Sequence, residues 1–329
     1  MFSGKTVLVT GAGGFIGSHL VEELIAQGAH VRAFLRYTSG GARGCLEDLP
    51  SNRAREVEEI FGDVRDPDTM RRVIQGSQIV FHLAALVGIP YSYAHPREVF
   101  DTNINGTANV LLAAREDEDV ERVVLTSSSE VYGSARYVPM DEQHPLQSQS
   151  PYAASKIAAD ALGISFQRSF QMPVTIVRPF NAYGPRQSAR AVIPTIISQA
   201  LAGQEVRLGS LDSRRDFTYV SDTVAGFMAL ARSEGAIGEV VNIGSGQEIS
   251  IGDLVRKIGE LTSREVEVAV DAQRLRPPTS EVRRLWADNS KARELAGWTP
   301  RLSLDEGLKK TVQWIAEHQG RFEPSVYAT

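Results

Sequence analysis

The most constraining feature stands at the start of the chain. A β-branched run, Thr6-Val-Leu-Val-Thr10, leads directly into Gly11-Ala-Gly-Gly14-Phe-Ile-Gly17, and a helix-forming stretch follows. Each glycine of this Gly-x-x-Gly-x-x-Gly spacing has a physical task. Gly11 permits a tight turn, Gly14 lets backbone N–H groups approach a pyrophosphate, and Gly17 lets the helix pack closely on the strand. The helix N-terminus adds partial positive charge facing the anion. Phe15 and Ile16 fall inside the same turn and are read with it as lining a cofactor. The bland alternative is a glycine-rich turn without a ligand; a strand before and a helix after weigh against it.

The rest of the first half keeps the rhythm that this turn begins. Strand candidates at Thr6–Thr10, His30–Leu35, Val57–Phe61, Ile79–Leu83, Arg122–Ser127 and Thr175–Val177 alternate with helical patterns at Ser18–Ala26, Pro67–Ile74, Asn105–Arg115 and Ala153–Phe170. A βαβα order with right-handed crossovers predicts an α/β fold, a doubly wound parallel (Rossmann) sheet covered on both faces. After about residue 180 the pattern changes. Helix candidates at Val192–Ala202, Asp222–Ala231, Ile251–Thr262 and Leu304–His318 alternate with a few short strands. Residues 1–180 are therefore expected to form the dinucleotide-binding domain, with later segments returning to it. Residues 181–329 are expected to form mainly a smaller C-terminal α/β lobe that binds substrate.

Composition narrows the partners. The 329 residues suggest about two structural units at roughly 150 residues each. The formal net charge is −5 and the basic residues form no block, which argues against a nucleic-acid partner. A few local arginines can still hold a phosphate. The single cysteine, Cys45, cannot form an internal disulfide and suits a reducing cytoplasm. No apolar run is long enough for a bilayer, and the first strand begins too early for a signal peptide, so no membrane partner is expected. No His/Cys/Asp cluster has metal-ligand spacing, and no catalytic metal is expected.

Two further stretches bear on the cofactor. The second strand ends in Phe34-Leu35-Arg36 with no acid to hold a ribose 2′-hydroxyl, so Arg36 tilts the expected NAD(P) cofactor towards NADP. Arg36 is equally readable as a solvated surface charge. Asp63, in Gly62-Asp63-Val64, is a candidate adenine contact, a helix N-cap before Pro67, or a turn residue. Tyr152 and Lys156 stand four apart at the head of a strongly helical stretch, on one face. A free phenol has a pKa near ~10, and a neighbouring ammonium lowers it, so such a pair is able to take a hydroxyl proton while hydride leaves for nicotinamide.

With these pieces in place the sequence resembles the extended short-chain dehydrogenase/reductase superfamily, and within it the NAD-dependent epimerase/dehydratase family. The resemblance rests on the glycine turn, Asp63-Val64, His82-Leu-Ala-Ala85, Asn103-x-x-Gly106-Thr107, Ser127-Ser-Ser-Glu-Val-Tyr-Gly133, Tyr152-x-x-x-Lys156, Arg178-Pro-Phe-Asn-x-Tyr-Gly-Pro-Arg186, Arg215-Asp-Phe-x-Tyr-Val-x-Asp222 and Asn242-Ile-Gly-Ser245, in order over nearly the whole chain. It implies that Ser128 holds the sugar O4, that Tyr152 takes its proton, and that Lys156 binds the nicotinamide ribose. It further implies that Leu83, Ala84 and Ala85 line the cofactor and that Asn103 supports it. Asn181, Arg190, Arg215 and Arg276 would hold the nucleotide diphosphate through charge-assisted bonds. The helices at Asn105–Arg115 and Ala153–Phe170 would pair two chains into a homodimer.

Glu130 bears on the reaction. Members of the family share oxidation at C4 and then diverge into 4-epimerases, 4,6-dehydratases and uronate decarboxylases. The resemblance makes Glu130 the base that takes the C5 proton of a dehydratase, a proton made acidic by the C4 ketone. The plain alternative is a loop carboxylate paired with an arginine. Many dehydratases place Asp before this Glu as the acid for the leaving hydroxyl, whereas this chain has Ser129, a feeble acid. Ser-Glu also occurs in decarboxylases. The stretches Ile89–Tyr93, Gly184–Arg190, Leu208–Ser210 and Arg276–Lys291 are similar to N-acetylhexosamine 4,6-dehydratases of the legionaminic-acid pathway. The expected substrate is accordingly a UDP- or GDP-linked N-acetylglucosamine.

Overall fold

A computed structural model describes residues 1–38 and 40–322. In chain order its first half runs β1 (Thr6–Thr10), α1 (Phe15–Ala26), β2 (His30–Arg36), α2 (Ser51–Ala54), β3 (Val57–Gly62), α3 (Pro67–Ile74), β4 (Ile79–His82), α4 (Ile89–Ala94), α5 (Pro96–Phe100), α6 (Gly106–Glu116), β5 (Arg122–Thr126), α7 (Pro151–Phe170) and β6 (Val174–Pro179). The second half adds β7 (Asn181–Tyr183), α8 (Val192–Leu201), β8 (Val206–Leu208), β9 (Arg214–Arg215), β10 (Phe217–Tyr219), α9 (Val220–Arg232), β11 (Val240–Ile243), β12 (Ile249–Ser250), α10 (Ile251–Thr262), β13 (Val268–Val270), α11 (Ser290–Ala296) and α12 (Leu304–Glu317).

Seven parallel strands form the central sheet in the order β11-β6-β5-β4-β1-β2-β3. Its inner strands are buried almost end to end, which is the burial that a sheet covered on both faces demands. Successive residues feed opposite cores. Val7 and Val9 join Leu20, Leu24 and Phe227 on the α1/α9 side, while Leu8 joins Met70, Val110 and Leu125 on the α3/α6 side. At the free edge, β3 carries Glu58 and Glu59, charges of the kind that discourage edge pairing.

Strand order reverses between β1 and β4, whose last residues Thr10 and His82 lie side by side. In open α/β sheets this switch point is where a crevice opens beyond the strand ends. The chain after β6 then leaves and returns. β11 completes the sheet beside β6, and α9 packs on α1. Between these returns a smaller body gathers α8, α10 and α12 with the paired strands β7/β10 and β8/β13, around Ile193, Ile196, Leu254, Ile258 and Leu308.

Several boundaries differ from the sequence reading by a few residues, and one strand was not expected. Helix α1 begins at Phe15 rather than Ser18, because Gly14 is its N-cap, and Phe15 and Ile16 therefore sit in its first turn. The helix expected from Asn105 is instead preceded by a π-helical turn, Asp101–Asn105. Strand β11 is only four residues long, and its apolar run is too short to stand out by pattern. Among the described residues no helix is long and apolar enough to cross a membrane.

Candidate active site

A cavity of about 920 Å³ opens at the switch point and extends into the smaller body. Its floor is the glycine turn. A Cβ on Gly11, whose φ is +71°, would stand 2.7 Å from the Ala84 nitrogen, and one on Gly17 would stand 2.2 Å from the Gly11 carbonyl oxygen. Side chains are thus excluded from a cradle that backbone N–H groups and the start of α1 face. A dinucleotide pyrophosphate fits such a cradle, because it needs close backbone approach and partial positive charge and no side chain.

Around that cradle stand Gly11, Gly14, Phe15, Ile16 and Gly17 from the turn, Leu83, Ala84 and Ala85 beyond β4, and Arg36, Asp63 and Val64 beyond β2 and β3. The Arg36 side chain is 63% exposed and lies 3.5 Å from Glu98. Asp63 is a turn residue. Its carboxylate accepts the Arg65 N–H at 2.9 Å and pairs with the Arg65 guanidinium, which holds its pKa below the ordinary value. The N-cap of α3 is Asp66, which accepts from the Asp68 N–H, so the capping alternative for Asp63 is corrected.

Asn103 is the one candidate that does not line the cavity. It is buried one layer behind, where its amide accepts from the Leu86 N–H (2.8 Å) and donates to the Leu86 carbonyl (3.0 Å) and the Ser155 hydroxyl (2.9 Å). In the structure Asn103 braces the loop that follows β4. Arg43 and Glu281 are among the wall residues that the sequence reading missed. Arg43, which pairs with Glu59 at 2.5 Å, lies in a glycine-rich stretch with no helical or strand signal. Glu281 lies inside a quoted motif but carries no chemistry until its partner Arg215 is seen.

The chemistry-bearing side chains face the same cavity from the other side. Ser150 caps α7 by accepting the Ala153 N–H, and Pro151 follows at the first helical position. This places Tyr152 in the first turn and Lys156 one turn on. Ser128 caps the short turn Ser129–Tyr132 by accepting the Glu130 N–H at 3.2 Å, which sets Ser128, Ser129 and Glu130 along the wall. Asn181, Arg190, Arg215 and Arg276 close the far end. Glu130 lies 3.7 Å from Arg276, and buried Arg215 lies 3.4 Å from Glu281. Among the described residues Oδ1 of Asn181 and Nη1 of Arg276 are buried without a hydrogen-bond partner, and both residues line the cavity. Orphaned polar atoms beside a cavity suit a polar ligand, since leaving them unmet costs about 1–3 kcal/mol each.

Electrostatics qualify the Tyr–Lys pairing. Burial pushes the Tyr152 phenol up to about 12, the Ser128 hydroxyl opposes that, and Glu130 and Asp160 reinforce it. Lys156 is not among the groups acting on Tyr152. Its ammonium donates to the Thr126 carbonyl at 2.7 Å, and burial lowers it to about 8 against the support of Asp160. The expectation that Lys156 lowers the Tyr152 pKa is thus corrected for the free protein: desolvation dominates.

Fold and site together define an enzyme class that binds a nicotinamide dinucleotide beside a second, phosphate-bearing substrate. Comparison with known proteins specifies the class. The family model described as GDP-mannose 4,6 dehydratase matches residues 8–311, and the chain belongs to this family, within the NAD-dependent epimerases and dehydratases. The chain is 34% identical to the UDP-N-acetyl-alpha-D-glucosaminuronate decarboxylase of Bacillus cytotoxicus, over 95% of this chain and 98% of that protein. It is likewise 34% identical to the UDP-glucose 4-epimerase of Mycolicibacterium smegmatis, over 94% of this chain and 97% of the relative. The crystal structure of DesIV, the dTDP-glucose 4,6-dehydratase of Streptomyces venezuelae with NAD bound, matches with a TM-score of 0.87 at 31% identity, covering 97% of this chain and 99% of that one.

Proposed function

We propose that this chain is a nucleotide-sugar 4,6-dehydratase acting on UDP- or GDP-linked N-acetylglucosamine. The observation that carries the reading is that Tyr152, Ser128 and Glu130 line one cavity with the glycine cradle, and that Glu130 is flanked there by Arg276. When bound, the dinucleotide supplies the reversible oxidation at C4 and the later reduction at C6. The chain's own residues handle protons and charge. The Tyr152 phenolic oxygen takes the O4 proton, helped by the Ser128 hydroxyl and by the first-turn dipole of α7, both of which favour the phenolate. The Glu130 carboxylate takes the C5 proton, acidified by the ketone at C4, and passes it to the C6 oxygen, which leaves as water; once C6 is reduced, C5 regains a proton from solvent, balanced by the O4 proton that Tyr152 holds and releases. Ser129 is the weak acid beside it.

Glu130 also bears on the runner-up, a uronate decarboxylase. That reading has a relative at 34% identity behind it. Because Ser-Glu also occurs in decarboxylases, Glu130 weighs against a plain epimerase more than against this runner-up, and the product separates the two. The experiment is incubation with UDP- and GDP-N-acetylglucosamine without an added redox partner, followed by mass spectrometry. Loss of one water supports dehydration. Recovery of a C4 epimer alone rejects it, and carbon dioxide released from a uronate substrate favours the decarboxylase. Glu130→Gln should lower turnover by about 100-fold or more with little change in substrate affinity.

Two finer points belong to the same reading. No acid ends β2, and Arg36 and Arg43 face the adenosine end of the cavity, which supports NADP over NAD. Calorimetry with each dinucleotide tests this, and Arg36→Ala should weaken NADP but not NAD. The functional unit is a homodimer built on α6 and α7, which expose Leu112 and Phe170. Light scattering at the mass of one chain would reject it.

A further inference from the structure

Behind the cofactor side of the cavity lies a set of buried polar groups that the chemistry above does not use. His82 ends β4. Its Nδ1 lies 2.8 Å from Thr10 Oγ1 at the end of β1, and its Nε2 lies 3.0 Å from Thr107 Oγ1 in α6. The hydrogen at the Thr107 hydroxyl is fixed by its other partner. Thr107 Oγ1 donates to the Asn103 carbonyl at 2.6 Å, so towards His82 it is left to accept, and His82 Nε2 carries a proton. Thr10 Oγ1 accepts from the Ala84 N–H at 3.2 Å and keeps its own hydrogen to donate to His82 Nδ1. The neutral ring that fits both hydroxyls has its proton on Nε2.

The hydrogen bonds then run one way. They pass from the Ala84 N–H through Thr10, His82 and Thr107 to the Asn103 carbonyl. The Asn103 side chain continues the brace. It holds both backbone groups of Leu86 and donates to Ser155, whose hydroxyl donates at 2.7 Å to the carbonyl of Tyr152. The other neutral tautomer would break the set at Thr107, whose single hydrogen would then face two acceptors, the Asn103 carbonyl and His82 Nε2.

We infer that His82 is a positioning residue: as a neutral Nε2–H imidazole it aligns a one-way chain of hydrogen bonds that fixes the Ala84–Leu86 loop against the turn of α7 carrying Tyr152. Burial, with the Lys156 charge nearby, drives the His82 pKa down to about 3, so the ring keeps this form at neutral pH. The loop so held lines the cavity directly, with Leu83, Ala84, Ala85 and Leu86 all in its wall. Here the inference rests on the reading that this wall faces a dinucleotide, but on no particular sugar.

The test pairs a spectrum with two variants. Long-range 1H–15N correlation of the full chain should show His82 as the neutral Nε2–H tautomer at pH 7 and still unprotonated at pH 5. Thr107→Val removes the accepting hydroxyl at nearly constant volume, and Thr107→Ser keeps it. Thr107→Val should weaken NAD+ binding by about tenfold in calorimetry, and Thr107→Ser should stay within about twofold of the natural protein. Where turnover is measurable, kcat should fall in Thr107→Val while KM for the nucleotide sugar holds. An Nδ1–H tautomer, a ring that titrates between pH 5 and 7, or a Thr107→Val variant that binds NAD+ unchanged overturns the proposal. Should Thr107→Val fail to fold, the spectrum of the natural protein and the Thr107→Ser affinity still decide. Should the natural protein bind neither NAD+ nor NADP+, the dinucleotide reading fails, and the spectrum judges the hydrogen-bond chain alone.

Discussion

The two ends of the cavity are built from different materials. The cofactor end is made of backbone: glycines at 11, 14 and 17, small residues at 84 and 85, and a helix N-terminus, all just beyond the ends of the central strands β1 and β4. The sugar-nucleotide end is made of charged side chains, Glu130, Arg190, Arg215, Arg276 and Glu281, delivered by segments far apart in the chain. Tyr152 stands where the two meet. A backbone site tolerates no added atoms, whereas a side-chain site tolerates shape changes but not loss of charge.

The largest effect belongs to the meeting point. Tyr152→Phe removes one oxygen from a buried ring and leaves both ends intact, so turnover should fall by about 1000-fold or more while NAD+ and nucleotide affinities stay within about threefold. Single-turnover kinetics beside calorimetry measure both. A variant with substantial turnover would remove Tyr152 from the chemistry altogether.

Next comes the backbone end. Gly11→Ala places a Cβ at φ +71° and 2.7 Å from the Ala84 nitrogen, so strand end and loop must part. NAD+ affinity should drop by about 100-fold, with the nucleotide-sugar end bound nearly as before by equilibrium dialysis. Equal losses at both ends would mean that the two are not separable. At the side-chain end, Arg276→Ala should raise KM for the nucleotide sugar by about tenfold and leave NAD+ affinity alone. Arg276→Lys should recover only part of this, because an ammonium cannot reproduce a two-pronged guanidinium contact.

The same contrast explains what could be read from the sequence. The glycine turn is local: strand, glycine spacing and helix are contiguous, so backbone geometry is written in one stretch of fifteen or so residues. Tyr152 and Lys156 are one helical turn apart and legible for the same reason. Individual residues at the sugar-nucleotide end became legible only through resemblance, because their meaning lies in partners. Arg215 is one of two adjacent arginines in sequence and a partner of Glu281 in space. Asn103 belongs to a readable motif, yet nothing local says that it stops one layer short of the cavity. The Tyr152 shift was misjudged because spacing places Lys156 on the right face but not its ammonium, which turns to the Thr126 carbonyl.

The smallest effect tests how the two ends are held together. His19, in α1 just after the glycine turn, donates from Nε2 to the Pro185 carbonyl at 3.0 Å, in the loop that leads to Arg190. Burial lowers its pKa from 6.5 to about 4, with the Pro185 carbonyl opposing; Arg186, Glu22 and Asp48 are the charges that face it. Because the folded pKa lies below the unfolded one, the unfolded chain binds the proton first. The contribution is complete above about pH 6.5 and is lost as pH falls towards 4. Between pH 7 and pH 5 the natural protein should lose about 1–2 kcal/mol of stability through this ring alone. His19→Gln keeps a donor in place and does not titrate, so its urea midpoint should fall less over the same interval. The His82 contribution, which has the same sign, remains in both proteins and cancels from the difference. Identical pH dependence in the two proteins would mean that α1 and the Pro185 loop are held by the Arg186–Glu22 ion pair at 2.8 Å and not by the imidazole.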